Sequence, residues 1–315
     1  MTVWVAACIA AFLFSQQQHI PNRITGMVLP AFLIELAFYL APGFPGPRRF
    51  LESVQPAALR ASLILASGLL PYLAMSVRLR TFACQDFALL AALTTAASFW
   101  YVAAKPGTIA DVLFLSVSAA VFLSRVFRHI YPDPAAHMQL ATLGKLAWIH
   151  VCIFAVLTVR GWNGPFGFIP NRAEWRAGVE SFLLFLPIGG LLAFLLHAVR
   201  FKMVSPVWKV PVVAAGVFFG FLWVVALAEE FVFRGFLQEL LARAWKSNLA
   251  ALIAASLLFG AVHLPFRFFP NWPWVAVATV LGFCCGIAYW RTGSMRASMV
   301  THALVVATYR TFFNG

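Results

Sequence analysis

The chain has 315 residues and a net charge of +13, and 62% of its residues are hydrophobic while only 10% are charged. Soluble domains carry about a quarter charged residues, so the composition excludes a soluble globular enzyme. It predicts an all-α, polytopic membrane protein, a transmembrane bundle of about 8–11 helices. The positive charge is typical of cytoplasmic loops and of loops beside anionic lipid headgroups. Because Lys and Arg form no patch or stripe, nucleic-acid binding is not expected.

Apolar segments follow one another along the chain, separated by short loops rich in proline and glycine. The first, residues 3–14, is shorter than the roughly 20 residues that a bilayer-spanning helix needs, so it predicts a short or tilted helix. Lys and Arg are nearly balanced between alternate loops, so the sequence does not set the membrane orientation. The remaining candidate helices cover residues 27–40, 57–77, 87–104, 109–127, 140–159, 179–199, 210–241, 249–264, 274–290 and 297–312.

Two regions of the chain differ in their intramembrane ionisable residues. Residues 1–200 form a predicted helical region of unassigned role, in which Glu35 is expected to be a locally paired or interfacial residue and not a functional site. Its last loop, residues 160–176, is expected to lie on the membrane surface, because arginines alternate there with aromatic residues. The adjacent glutamates at residues 229 and 230 and the histidines at residues 263 and 302 all lie in residues 201–315, which form the predicted chemical core. The aromatic residues of the loop are Trp162, Phe166, Phe168 and Trp175.

The sharpest departure from the apolar composition is a pair of glutamates that follows an uncharged run, residues 210–228. Ionised groups at membrane depth cost several kcal/mol each unless they are paired or face a water-filled cavity. On a helix, Glu230 and Arg234 share a face in the favourable acid-before-base order, whereas Glu229 points about 100° away. The arginine is therefore expected to hold Glu230 and to leave Glu229 free for chemistry. The alternative is an ordinary charge ladder where a helix leaves the membrane.

Two histidines further along, His263 and His302, favour a functional site over such a ladder. A single histidine in an apolar run is more often a satisfied core residue than a catalyst, but two histidines after a Glu-Glu pair are harder to dismiss. Hydrolysis of a peptide bond needs an activated water, a group that polarises it and a donor to the oxyanion. Glu229, His263 and His302 supply those residue types from three predicted helices.

Three stretches of this region match, in order and approximate spacing, the motifs of a known family. Residues 229–234 have the pattern Glu-Glu-x-x-x-Arg, and Phe259 with His263 has the pattern Phe-x-x-x-His. Residues 282–302 contain glycines, an aromatic pair and Thr-Gly-Ser before the last histidine. Together these motifs resemble the CPBP intramembrane proteases, which comprise CAAX proteases and bacteriocin-processing enzymes and are also called the Abi family. The resemblance covers residues 210–312, about a third of the chain.

The resemblance implies a helical membrane protease in which Glu229 and His263 activate a water. It also implies supporting roles for Glu230 and Arg234, and a contribution of His302 to the oxyanion site. The family's mechanism is glutamate-dependent and metal-free, and the sequence lacks the His-Glu-x-x-His pairing of a helical zinc site. No cofactor is therefore expected, and zinc stays open as the alternative.

One position departs from the family pattern. The last family motif usually is His-x-x-x-Asn, and Val306 occupies the asparagine position here, where it cannot donate a hydrogen bond. An oxyanion donor is worth roughly 2.7–4 kcal/mol of transition-state stabilisation. Tyr309 lies on roughly the same helical face as His302, and we hypothesise that its hydroxyl replaces the missing donor. The alternative is an interfacial aromatic residue near the end of a helix.

The sequence thus predicts an integral membrane endopeptidase, in the plasma membrane of a bacterium, that acts on membrane-associated or peptide substrates. Its expected partners are membrane lipid and a peptide or protein substrate. A catalytically weak membrane scaffold or regulatory protein is one alternative, suggested by Val306. A proton-coupled transporter that uses the same buried glutamate and histidines is the other, although the inverted repeats and paired broken helices of transporters are not visible in the sequence.

Overall fold

A computed structural model describes residues 2–164 and 166–314 of the chain. The described residues form thirteen helices and one pair of two-residue strands, which confirms the all-α prediction. Seven helices are long and apolar enough to cross a membrane by length and composition, and three shorter apolar helices accompany them. The protein is therefore an integral membrane protein.

The chain divides into two compact units, Met1–Asn163 and Gly164–Gly315. The predicted boundary between residues 200 and 201 was placed differently, just before the region that contains all the motifs. The assignment of the chemical core to residues 201–315 stays a prediction. The helices of the first unit are α1 (Thr2–Gln17), α2 (Asn22–Leu40), α3 (Pro45–Ser53), α4 (Ala57–Leu79), α5 (Cys84–Ala103), α6 (Thr108–Leu123), α7 (Val126–Ile130) and α8 (Ala141–Val159). Those of the second unit are α9 (Arg172–Leu195), α10 (Val207–Trp245), α11 (Asn248–Ala261), α12 (Trp272–Thr292) and α13 (Met295–Phe312), with strands β1 (Arg200–Phe201) and β2 (Phe313–Asn314) paired antiparallel.

Helix α9 begins well ahead of the apolar segment, residues 179–199, that predicts it. Its start is a capping box, in which the Asn171 side chain accepts a hydrogen bond from the Glu174 backbone and the Glu174 carboxylate accepts one from the Asn171 backbone. Arg296 of α13 forms an ion pair with Glu174 at 2.7 Å. The charged residues of the first turns hide this helix start from a hydropathy pattern, because only the later turns are apolar.

The loop before α9 contradicts the prediction of a membrane-surface segment. Phe166 packs edge-on against Phe231 of α10, with ring centres 5.2 Å apart. The Phe168 carbonyl accepts a hydrogen bond from the Trp223 indole of the same helix at 3.2 Å. Trp162, which belongs to the first unit, is buried as well. The prediction is wrong for these three loop aromatics, because their large apolar rings are buried against the protein instead of lying at the lipid headgroups.

Helix α10 carries the Glu-Glu motif and has an irregular backbone. It contains 39 residues, so it is about 58 Å long at 1.5 Å per residue, well beyond the ~30 Å of a hydrocarbon core. Two π-helical stretches, Phe221–Val225 and Phe231–Gln238, interrupt it on either side of the α-helical turn Ala226–Glu230. Such π turns occur frequently at functional sites. The two glutamates therefore lie in a short regular turn between two widened ones.

Helix α11 ends at Ala261, and His263 lies in the turn beyond it. The prediction that a helix carries His263 is therefore wrong. Pro265 gives the physical reason, because proline disfavours the helical conformation of the residue before it. The turn is closed locally, since the His263 backbone N–H donates to the Gly260 carbonyl at 2.9 Å.

A buried asparagine organises the segment between this turn and α12. The Asn271 side-chain amide donates to the Phe266 carbonyl at 2.8 Å, and its oxygen caps α12 by accepting from the Trp274 backbone at 3.2 Å. The Asn271 backbone N–H also donates to the Leu264 carbonyl at 2.8 Å. These bonds hold the turn that contains His263 against the start of α12.

The helices of the second unit approach one another closely at glycines. A Cβ atom on Gly178 of α9 would lie 2.6 Å from the Cβ atom of Val300 on α13. A Cβ atom on Gly282 of α12 would lie 3.0 Å from the Cα atom of Ser256 on α11. Small residues at such crossings let membrane helices pack with their backbones close together. This close packing brings α10, α11, α12 and α13 around the candidate site.

Candidate active site

A buried ion pair lies at the centre of the candidate site. Glu230 and Arg234 are both 0% exposed. The Nη1 atom of Arg234 lies 3.3 Å from Oε1 of Glu230, to which it donates, and 3.2 Å from Oε2. Its Nη2 atom donates to the Gly282 carbonyl on α12 at 2.9 Å. The predicted i,i+4 pair is therefore present, and its arginine also links α10 to α12.

His302 lies between the two carboxylates of the Glu-Glu pair. Its Nδ1 atom is 2.8 Å from Oε1 of Glu230, and its Nε2 atom is 3.9 Å from Oε2 of Glu229. Because an ionised carboxylate can only accept hydrogen bonds, Nδ1 carries a proton and donates it to Glu230. The structure thus shows a carboxylate partner of His302 that the motif spacing does not reveal, and its place at the oxyanion site stays a prediction.

Glu229 differs from Glu230 in both exposure and bonding. Its side chain is 35% exposed, whereas that of Glu230 is fully buried. Among the residues that the structure describes, none donates a hydrogen bond to Oε2 of Glu229, although this atom itself is buried. A buried carboxylate oxygen without a donor calls for a functional explanation or a bound water. The geometry agrees with the expectation that Glu230 is held and Glu229 is left free.

His263 is oriented by the backbone of its own motif. Its Nδ1 atom donates to the Phe259 carbonyl at 2.8 Å. Since a carbonyl can only accept, Nδ1 carries a proton, and Nε2 is the acceptor atom in the neutral tautomer with that proton. Within residues 2–164 and 166–314, no hydrogen bond or ion pair joins His263 to Glu229. If the two act on one water, that water lies between them.

The phenylalanine of the Phe-x-x-x-His motif is the apolar centre of the site. Phe259 is fully buried, and the Arg234 guanidinium lies over its ring at 4.5 Å from the centroid. The ring centres of His263 and His302 lie 5.0 Å and 5.7 Å from that of Phe259. One aromatic ring therefore contacts the arginine and both histidines, and it provides a stabilising cation–π contact for the buried guanidinium.

Sequence reasoning missed a pair of side chains that join α12 to α13 beside this cluster. The Ser298 hydroxyl donates to the Cys285 carbonyl at 2.7 Å, and the Cys285 thiol donates to the Ser298 carbonyl at 3.6 Å. The sequence indicates Cys285 only as a small core hydrophobe. Its position in the glycine-rich stretch, residues 282–286, was the available signal, and a single sequence does not show which helix the thiol faces.

The contacts of these side chains also show how well a metal ion would fit the site. Glu230, Cys285 and His302 offer ligand atoms within 4.8 Å of one another, a donor set that zinc accepts. Arg234 already lies at ion-pair distance from both Glu230 oxygens, and the thiol is hydrogen-bonded to Ser298. A guanidinium beside the carboxylate supplies the positive charge that a metal would bring and would repel a second cation. These residues therefore fit a metal poorly.

The Tyr309 hydroxyl, which is hypothesised to be a replacement oxyanion donor, bonds to an arginine instead. Its hydroxyl accepts a hydrogen bond from Nη2 of Arg267, and its ring packs edge-on against Trp274 with centres 5.3 Å apart. Within the described part of the chain, no contact links Tyr309 to His302. The geometry gives no support for a replacement oxyanion donor at Tyr309, and Val306 leaves that position without one.

Comparison with known proteins identifies the region that contains this site. Residues 211–308 match the family of Rce1-like type II CAAX prenyl endopeptidases. This match confirms the predicted resemblance to the CPBP proteases over about a third of the chain. The chain is also 33% identical over 85 residues to the uncharacterized protein YpbD of Bacillus subtilis (strain 168). The aligned stretch covers 27% of this chain and only 39% of YpbD. No solved structure matches the chain.

Proposed function

We propose that the second unit is an intramembrane endopeptidase in which Glu229 and His263 activate a water against a peptide bond of a membrane-associated substrate. The observation that carries this proposal is the orientation of His302, whose Nδ1 is held by Glu230 and whose Nε2 faces the unbonded oxygen of Glu229. The match of residues 211–308 to a family of endopeptidases supports proteolysis as the reaction.

Glu229 acts as the general base in this proposal. A water that donates to its open oxygen loses that proton as the water oxygen attacks the carbonyl carbon of the peptide. The free Nε2 atom of His263 accepts the second hydrogen bond of the water and orients it. Glu229 then returns the proton to the leaving amine. The C–N bond breaks, one product gains the hydroxyl on its carbonyl carbon, and the other gains the proton on its nitrogen.

The charges of the cluster support a protonated His302. With both glutamates as carboxylates, which the base role of Glu229 and the bond from Nδ1 to Glu230 require, Arg234 and a His302 imidazolium bring the net charge of the four groups to zero. Electrical balance lowers the cost of ionised groups at membrane depth. A protonated ring donates from Nε2 as well as from Nδ1. We infer that Nε2 donates to the carbonyl oxygen of the substrate as negative charge develops on it.

The proposed enzyme needs no metal and acts with a reduced set of oxyanion donors. Arg234 supplies a fixed positive charge beside Glu230, as a metal ion would in a metalloprotease. Val306 supplies no hydrogen bond, so His302 carries the oxyanion interaction without the asparagine that the family pattern adds. We further propose that the protein resides in the plasma membrane of a bacterium, since the relative that it matches is bacterial.

The test is cleavage of quenched fluorescent membrane peptides by the purified full-length protein in detergent. We expect Glu229→Gln to lower kcat by about 10²–10⁴-fold, the usual worth of a general base, and His263→Ala to lower it strongly as well. The matched control is Glu239→Gln, which changes a partly exposed carboxylate of the same helix that pairs with Arg243. This control should keep wild-type activity, and a zinc chelator should leave activity unchanged.

Three outcomes would contradict the proposal in different ways. Equal activity of wild type and Glu229→Gln would remove Glu229 from the reaction. Loss of activity with the chelator and its recovery with zinc would show that the metal-free mechanism is wrong. A folded wild-type protein that cleaves no peptide would favour the scaffold alternative, for which the valine at position 306 is the supporting observation.

A further inference from the structure

The first unit contains a hydrogen-bonded chain of three polar side chains that the proposed protease does not use. Glu35 of α2 and His150 of α8 are both 0% exposed, and Nδ1 of His150 lies 2.8 Å from Oε1 of Glu35. Nε2 of His150 lies 3.0 Å from the hydroxyl oxygen of Ser67 on α4, and this hydroxyl donates to the Ile64 carbonyl of the same helix at 2.7 Å. Glu35 is thus locally paired, as expected. Three helices contribute one residue each to this chain.

We propose that Ser67 is a nucleophile, with His150 as its base and Glu35 as the residue that positions the base. A nucleophile within hydrogen-bond reach of a base that a third group orients is the geometric signature of such a centre. Nδ1 faces the carboxylate and Nε2 faces the hydroxyl oxygen. Rotation of the hydroxyl proton from the Ile64 carbonyl toward Nε2 gives the donor that this chemistry requires. The two supporting residues are fully buried, whereas Ser67 is half-buried and accessible.

Unsatisfied polar atoms around this chain argue against a purely structural role. Among the described residues, neither Oε2 of Glu35 nor the buried hydroxyl of Tyr131 has a hydrogen-bond partner. Burial raises the pKa of the Tyr131 hydroxyl well above its usual range, and the charge of Glu35 adds to this effect, so the two groups lie within electrostatic reach. Buried polar groups in a structural network are normally satisfied, and exceptions call for a catalytic role, strain or a bound water.

The position of Ser67 indicates the class of substrate. Its neighbours on α4 one turn before and after, Leu63 and Leu70, are exposed, whereas Ile64 and Gly68 are buried. The hydroxyl therefore lies at the border between the packed face and the face turned to lipid. Ser67 is also near the middle of α4, about 15 Å from its start at 1.5 Å per residue. A substrate that reaches it from the bilayer is an apolar ester dissolved in the hydrocarbon region.

The reaction transfers an acyl group and balances without another reagent. The Ser67 oxygen attacks the ester carbonyl carbon while its proton moves to Nε2 of His150. The bond between the carbonyl carbon and the ester oxygen breaks, and the proton moves from Nε2 to the leaving alkoxide, which departs as an alcohol. The acyl group remains on Ser67 until an acceptor alcohol reverses the same steps. Glu35 stabilises the imidazolium that exists between them.

The test uses the full-length protein in detergent micelles and a long-chain alkyl fluorophosphonate. The serine oxygen forms a bond to phosphorus and fluoride leaves, so reaction is read by mass spectrometry of the labelled peptide. We expect the label on Ser67 and not on Ser62, an exposed serine of the same helix. Both hydroxyls donate to a backbone carbonyl of α4, but among the described residues only that of Ser67 also lies beside a histidine. If neither serine of the wild-type protein is labelled, or if both are labelled equally, that result alone overturns the proposal.

Variants then test the roles of the other two residues. His150→Gln should lower the labelling rate by about 10²–10⁴-fold, as expected for loss of a general base. Glu35→Gln should lower it, and Glu35→Asp should restore part of the rate, which a residue needed only for folding would not do selectively. Size-exclusion profiles establish that each variant is folded. Labelling of a folded His150→Gln variant at the wild-type rate would show that His150 does not activate Ser67.

This inference is independent of the proposed protease. Glu229→Gln should lower kcat for peptide cleavage by about 10²–10⁴-fold and leave the labelling of Ser67 unchanged. Ser67→Ala should do the reverse, with no label on α4 and normal peptide cleavage. Loss of peptide cleavage in Ser67→Ala, with the fold intact, would show that the serine belongs to the peptidase reaction and would overturn a separate acyl-transfer centre.

Discussion

The two units of the protein each bury a glutamate–histidine pair with the same local geometry. In the first unit, Nδ1 of His150 lies 2.8 Å from Glu35, and in the second, Nδ1 of His302 lies 2.8 Å from Glu230. Both carboxylates are fully buried. Each pair is built from helices that are far apart in the sequence, so each holds its helices in register. The two clusters therefore share one feature, an imidazole whose Nδ1 atom is held by a buried carboxylate.

The clusters differ in what lies at the second nitrogen of the imidazole. Nε2 of His150 contacts the hydroxyl of Ser67, whereas Nε2 of His302 faces the carboxylate of Glu229. Only the second cluster contains a cation among the described residues, Arg234, which pairs with its buried carboxylate. A hydroxyl at that nitrogen can be deprotonated and used as a nucleophile, while a second carboxylate serves to activate water. The same buried pair thus supports two different chemistries.

The largest predicted effect concerns Arg234, the cation of the second cluster. Arg234→Met leaves the fully buried Glu230 carboxylate without its guanidinium partner, and we expect it to lower the free energy of unfolding by about 3–5 kcal/mol. The matched control is Arg243→Met on the same helix, whose partly exposed pair with Glu239 should contribute about 0–1 kcal/mol. Unfolding in mixed detergent micelles measures both. Equal losses for the two variants would show that Arg234 does not compensate a buried charge.

A second prediction adds a hydrogen-bond donor to the second cluster alone. Val306→Asn restores the amide of the family motif one turn after His302, and an oxyanion donor is worth roughly 2.7–4 kcal/mol where one is removed. Because a new side chain is less well placed, we expect a smaller gain, about a tenfold to hundredfold increase in kcat for peptide cleavage. Labelling of Ser67 should not change. A folded variant with unchanged kcat would place the substrate carbonyl away from this position.

A third prediction compares the strength of the two pairs. Double-mutant cycles of Glu35→Gln with His150→Gln, and of Glu230→Gln with His302→Gln, should each give a coupling energy of about 0.5–3 kcal/mol. We expect the coupling to be larger in the first unit, because Glu230 keeps Arg234 as a partner when His302 is changed. Thermal unfolding of the four single and two double variants measures it. A larger coupling in the second unit would contradict this account of the arginine.

The smallest predicted effect concerns the free carboxylate. Glu229 is partly exposed and has no hydrogen-bond donor among the described residues on its inner oxygen. Glu229→Gln should therefore change the free energy of unfolding by no more than about 0.5 kcal/mol, while it lowers kcat for peptide cleavage by about 10²–10⁴-fold. Glu35→Gln, by contrast, should be clearly destabilising. A strongly destabilised Glu229→Gln variant would indicate that Glu229 holds the fold together instead of serving the reaction.

Much of the second unit could be predicted because its motifs act over short distances. The pairing of Glu230 with Arg234 follows from a four-residue spacing on one helix, and the same spacing leaves Glu229 on another side. The turn at His263 was missed, although Pro265 marked it, because the apolar pattern continues past the end of the helix. The start of α9 at Arg172 was missed for the opposite reason, since charged residues precede its apolar turns.

The first unit shows the limit of this approach. Glu35 was recognised as unusual, but its partners His150 and Ser67 are more than thirty residues away on other helices. No spacing rule links positions on different helices, and serine or histidine in an apolar segment carries little signal alone. Only after the three helices pack does the carboxylate meet the imidazole and the imidazole meet the hydroxyl.

The sequence by itself determined that this is an all-α integral membrane protein and that one helix carries a glutamate pair with a matched arginine. Composition sets the first property through the cost of exposing apolar residues to water, and helical periodicity sets the second. The tertiary structure decided which nitrogen of each histidine meets which partner, which glutamate oxygen stays open and which serine contacts an imidazole. These contacts depend on the rotation and register of helices against one another, which close packing at residues such as Gly178 and Gly282 establishes.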